Sequence, residues 1–92
     1  MHILRIEHAV PNYDAWKAAF DSDPIDRESS GVRRYRILRA TDDPNYVMID
    51  LEFDSASDAE AVRAALDDPT SPPEVTHGLR VRIIEEVESK EY

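Results

Sequence analysis

The chain has 92 residues, with 20 acidic against 11 basic side chains and a net charge of −9; it is expected to form a single domain over 1–92 whose core, small for its surface, gains from a partner subunit. That acidic balance excludes phosphate-tracking nucleic-acid binding and docking on anionic membranes, both of which need a basic face. With no cysteine there is no disulfide framework, no thiol nucleophile and no cysteine-ligated metal.

The opening "MHILRIEHAV" interrupts its apolar residues with charge too often for a signal peptide or a membrane span, so a cytoplasmic location is expected. Over 2–10 the residues alternate as a first strand, with His2, Leu4, Ile6 and His8 on one face and Ile3, Arg5 and Glu7 on the other. Pro11 ends it and Asn12 can cap a helix that carries Tyr13, Trp16 and Phe20 as a stripe at helical spacing. Asp23 and Pro24 then read as the start of a short second helical segment closed by Gly31.

A second strand is expected at 32–40, "VRRYRILRA". The turn formers "TDDPN" at 41–45 read as a hairpin loop, with a third strand at 46–54. Its alternation places Val47, Ile49, Leu51 and Phe53 on one face and Tyr46, Met48, Asp50 and Glu52 on the other. Ser55 or Ser57 begins the next helix, Ser57 and Glu60 having capping-box spacing, and Ala59, Val62 and Leu66 form its buried stripe. Residues 67–77, with three prolines, form a loop long enough to be functional. A last strand is expected at 78–88, with Leu79, Val81 and Ile83 opposed to Arg80, Arg82 and Ile84.

The order β-α-β-β-α-β defines an α+β, ferredoxin-like βαββαβ fold: a four-stranded antiparallel sheet with two helices on one face. A hairpin centred on Asp43 sets Arg36 opposite Asp50, Arg34 opposite Glu52 and Leu38 opposite Met48. Two arginines then meet two carboxylates across strands, which stabilises the pair. Strand four beside strand one brings Arg80 and Arg82 toward Glu7, with Arg5 close by. The uncovered face thus mixes paired charges with Ile3, Leu38, Tyr46, Met48 and Ile84, the composition of a surface that a second subunit covers. A solvated face and an anion site built on surplus arginines are the alternatives.

The stretches "RIEHAVPNYDAWKAAFD" and "YVMIDLEFDSASDAEAV", each running from strand to helix, together with the element order, make the chain resemble the dimeric α/β-barrel superfamily. Its members include cofactor-free antibiotic-biosynthesis monooxygenases, polyketide cyclases, muconolactone isomerases and some haem enzymes. The resemblance implies a homodimer joined through the open sheet faces and a pocket in each subunit between helices and sheet. It carries no catalytic signature, so no subfamily's residues are transferred, and one fold hosts many chemistries.

His8 is the foremost candidate for chemistry, ending strand one on the apolar face beside the Tyr13–Trp16–Phe20 helix, where an imidazole can act as a general base or donor near neutral pH. A histidine hydrogen-bonded at the core rim would look the same in sequence. His77, at the mouth of strand four, can reach the same pocket or simply cap the strand. Tyr13, Trp16, Phe20, Tyr35 and Phe53 are candidate ligand-binding residues for a flat aromatic compound, or plain core. Asp50 is assigned to the arginine face. No metal site is expected: His2 and His8 share a face but lie about 20 Å apart along a strand, and neither HExxH nor a glycine-rich phosphate loop is present.

Two classes of function stay open. One is an enzyme without a cofactor, resembling monooxygenases or cyclases, that acts on an aromatic or polyketide-like compound with His8 as the acid–base group; haem held by His8 or His77 is its variant. The other is a non-catalytic module that binds a small ligand or a partner and dimerises through its sheet.

Overall fold

The computed structural model describes residues 2–23, 26–66 and 79–92. Its elements are β1 (His2–Ala9), α1 (Tyr13–Asp21), β2 (Val32–Ala40), β3 (Asp43–Phe53), α2 (Ala56–Leu66) and β4 (Arg80–Glu85). The strands form one antiparallel sheet in the order β2-β3-β1-β4, the ferredoxin-like arrangement expected from the element order.

The hairpin register is the expected one: Arg34 faces Glu52, Arg36 faces Asp50 and Leu38 faces Met48. Its turn is tighter than "TDDPN" suggests. Thr41 and Asp42 alone make it, and β3 begins at Asp43 rather than at 46. Pro44 is tolerated in the strand because β1 ends alongside Tyr46, so no neighbour on that side requires an N–H from residue 44. β4 is shorter than the expected 78–88.

The register of β2 shifts between Val32 and Arg34, where Arg33 is the extra residue of a bulge. The bulge reverses the alternation. Val32, which simple parity sends to the arginine face, pairs with Phe53 and is buried, while Arg33 turns outward to Asp54 at 2.8 Å.

Caps follow local chemistry. The Asn12 side-chain oxygen accepts from the Ala15 backbone N–H at 2.9 Å and starts α1, as expected. For α2 the cap is Ser55, whose hydroxyl accepts from the Asp58 N–H at 3.1 Å; Ser57 lies inside the helix, so its capping-box spacing with Glu60 is not used. The expected helical segment after Asp23 is not formed in the described residues. Asp23 and Asp26 adopt positive φ (55° and 51°), which breaks a helical run, and 27–30 form turns. Pro24 and Ile25 lie outside the described residues. Gly31 has φ 96°, the conformation that favours glycine, and a Cβ there would come within 2.7 Å of the exposed Asp58 carboxylate, which would have to move.

The core lies between sheet and helices. Leu4, Val47 and Phe53 are wholly buried, with Ile6, Ile49, Leu51 and Val62 nearly so; Ala59, Val10 and Val32 complete it. Each large side chain so buried contributes roughly 1.5–3 kcal/mol relative to exposure. No helix among the described residues is long and apolar enough to cross a membrane.

Candidate functional site

α1 crosses the sheet with Trp16 and Phe20 directed inward, but the residues flanking that stripe, Ala15 and Ala19, each one position before an aromatic, are small. Small side chains there leave space unfilled. The result is a cavity of about 360 Å³ between α1 and the sheet, floored by Ile6, Ile49 and Leu51 and bounded by Leu66 and Leu79. Its volume is that of a small-ligand pocket, and its wall is apolar with few polar groups, as such pockets are.

Three polar side chains are found on the described wall: His8, Asn12 and Arg27. Asn12 is already engaged as the α1 cap. His8 ends its inward alternation on β1 and is 6 % exposed. Its ring meets Trp16 edge-on, centroids 6.4 Å apart. The imidazole has no hydrogen-bond partner among the described residues, and neither ring nitrogen is a sealed, unsatisfied atom. The residue itself stands on the cavity wall. Burial pushes the His8 pKa below its ordinary 6.5, because a low-dielectric wall disfavours the imidazolium. A neutral imidazole can accept a proton and donate one.

The aromatic candidates divide. Trp16 and Phe20 line the cavity, their ring centroids 5.3 Å apart and their planes tilted by 32°. Tyr13 packs on the far side of Trp16 at 5.8 Å, with the Arg39 guanidinium 4.5 Å above its ring, and is not on the described wall. Tyr35 meets the edge of Phe20 at 5.0 Å and is 44 % exposed. Phe53 is wholly buried in the core. Alternation placed Tyr35 and Phe53, and helical spacing placed Tyr13, between helices and sheet, but being there is not the same as reaching the cavity. His77 lies outside the described residues.

Arg27 was missed by sequence reasoning, since it belongs to an irregular turn without periodicity. The alanines carried a signal: Ala15 and Ala19, four apart beside Trp16, mark a helix face too slender to fill its groove. Among the described residues no cluster of three metal-ligating side chains occurs.

On the opposite, open face of the sheet the expected charge pairs are present and joined by a third arginine. Arg34 donates to Glu52, and Asp50 accepts from Arg36 at 3.0 Å and from Arg5 at 2.7 and 2.8 Å. Arg80 and Arg82 were expected to reach Glu7, with Arg5 close by; the Glu7 carboxylate instead accepts from the Tyr46 hydroxyl at 3.0 Å. Arg80 and Arg82 make no ion pair among the described residues, and Arg82 stands directly across from Arg5.

No family model matches the chain, and no curated protein does. Solved structures do. A dimeric ferredoxin-like protein from an uncultured marine organism superposes with a TM-score of 0.58 at 14 % identity over 90 % of each chain. A Nitrosomonas europaea protein provisionally named an antibiotic biosynthesis monooxygenase gives 0.56 at 18 % identity over 96 % of this chain and all of its own. A Mycobacterium tuberculosis protein gives 0.54 at 17 % identity, over 99 % of this chain and all of its own. The fold is thus the ferredoxin-like fold.

Proposed function

We propose that this protein is a small-molecule enzyme that works without a cofactor on a planar aromatic or polyketide-like compound, as a homodimer joined through its open sheet faces. The observation that carries this reading is the imidazole of His8, without a hydrogen-bond partner among the described residues, on a largely apolar cavity wall with Trp16 and Phe20. A planar compound seated against those rings presents an acidic C–H or O–H to a neutral base, and its conjugated anion can pass electrons to dioxygen itself. Proton removal by a positioned group of matched pKa accelerates such a step by about 10²–10⁴-fold. The monooxygenase name of the Nitrosomonas europaea structure agrees with this chemistry, and the dimeric marine protein agrees with the assembly. The half-buried Ile3, Leu38, Met48 and Ile84 on the open face are the apolar groups a second subunit would cover.

A non-catalytic ligand-binding module is the second reading, favoured by the wall itself, whose described residues include no carboxylate to work beside His8. Anthrone, planar and with an acidic CH₂ between its rings, separates the two. Oxygen uptake with anthraquinone and water as products, lost in His8→Ala with the circular dichroism unchanged, supports the enzyme. Saturable binding without turnover supports the module.

A further inference from the structure

The cavity has a second end. From His8 the wall steps to Trp16, to Phe20 and then to Arg27, whose guanidinium carbon lies 3.9 Å over the Phe20 ring and 5.1 Å from that of Tyr35. Arg27 is held there by donating through Nη1 to the Phe20 carbonyl at 2.9 Å, and its side chain is only 14 % exposed. The Asp23 carboxylate, on the solvent side, approaches Nε at 3.5 Å. A guanidinium has five N–H donors, and those on Nη2 have no partner among the described residues. In a chain of net charge −9, the described cavity wall carries this one cation and no carboxylate.

We propose that Arg27 is the specificity residue of the cavity and that the ligand is an aromatic carboxylate: its ring lies along Trp16 and Phe20, its carboxylate meets Nη2 of Arg27, and its far end faces His8. This rests on the reading of the cavity as the ligand site. Stacking on Phe20 fixes the plane of the guanidinium before any ligand arrives, so little ordering is left to be done on binding. An apolar wall also strengthens the attraction of the ion pair relative to water. A general preference for anions is opposed by the acidic surface, so a preference that is observed has to come from this local cation.

The test is calorimetric titration with 2-naphthoate and its neutral isostere 2-naphthamide at pH 7.5. The wild type is expected to bind the carboxylate about tenfold more tightly, the difference of one charge-assisted contact. In Arg27→Met the ratio should fall to within about twofold of one, and in Arg27→Lys it should be intermediate. Equal binding of the two probes by the wild type, or a ratio that survives in Arg27→Met, overturns the assignment while leaving the cavity as the ligand site. Binding of neither probe removes the cavity reading and the Arg27 assignment together. Equal binding by the wild type overturns the assignment without any variant, so the proposal stays falsifiable even where a variant does not fold.

Discussion

Arg5 on β1 and Asp50 on β3 face each other across the strands and close a two-pronged ion pair, Nε to Oδ1 at 2.7 Å and Nη2 to Oδ2 at 2.8 Å. Arg36 reaches the same Oδ2 from β2 at 3.0 Å, so one carboxylate ties three strands together. The Asp50 side chain is 2 % exposed, whereas Arg5 is about a third exposed and Arg36 is 65 % exposed. Asp50→Asn keeps the shape, removes the charge and leaves two guanidinium groups facing an amide. The expected cost is about 2 kcal/mol, because hydrogen bonds to charged groups contribute more than neutral ones and an unpaired buried group is penalised. Urea unfolding at fixed protein concentration measures it, and a change under about 0.5 kcal/mol would show that the pair is solvated in practice.

The same carboxylate shapes the acid limb of stability. The Arg5 hydrogen bonds, and after them that of Arg36, hold the Asp50 pKa below its ordinary 3.8 against the upward push of burial. The folded pKa is depressed, so the contribution is fully present above the unfolded value and is lost as pH falls through the folded one. Glu52 is lowered in the same direction by Arg34, on a more exposed site. Urea midpoints between pH 6 and pH 2 should fall steeply at the acid end for the wild type and less so for Asp50→Asn; parallel curves would contradict the linkage.

The opposite sheet face and the gap under α1 were not equally legible in the sequence. Period-2 alternation and turn residues sufficed for the strand order, the hairpin register and the Arg34–Glu52 and Arg36–Asp50 pairs, because those depend on residues a fixed distance apart. Val32 was not readable, since one bulged residue reverses its parity. Neither was the pairing of Arg5 with Asp50, which depends on side-chain reach across the β1–β3 pair. In the site, His8, Trp16 and Phe20 follow from alternation and helical spacing. A cavity is a difference in volume between facing elements, which no single segment encodes, and so Tyr35 and Phe53 shared the right face without reaching it.

His8 gives a spectroscopic check. Burial lowers its pKa below 6.5, so the Cε1 proton resonance should titrate at lower pH than that of a model histidine peptide. Between 6.5 and the folded value the unfolded chain binds more protons, so stability rises with pH across that window and is complete above it. A base of this kind works in its neutral form, and any turnover should persist below pH 6.5 and fall through the same pKa. Titration at or above 6.5 would place the imidazole in water or beside an anion instead.

If a second subunit covers the open face, a charge placed within its apolar part should separate the subunits. Leu38 lies half-buried on the edge strand β2 opposite Met48, where the monomer can accept a polar residue. Light scattering on Leu38→Glu is expected to show a monomer at concentrations where the wild type is a dimer, the dissociation constant rising by at least tenfold, since a buried unpaired charge costs more than 1.4 kcal/mol. An unchanged dimer would move the interface to another surface.

Ala19 and Phe53 separate cavity from core. Ala19 lines the cavity and is exposed on its helix, so Ala19→Leu adds a side chain where there is already room. Filling that space should leave stability within about 1 kcal/mol of wild type, because overpacking penalties arise in filled cores, and should abolish binding of a planar aromatic probe by occupying its place. Phe53 has no exposed surface and packs with Val32 across the β2–β3 pair. Phe53→Ala should therefore cost about 3–5 kcal/mol, and Phe53→Leu less, with probe affinity in the folded Phe53→Leu protein within about threefold of wild type. Loss of binding in Phe53→Leu together with retention in Ala19→Leu would relocate the ligand site from α1 to the hairpin.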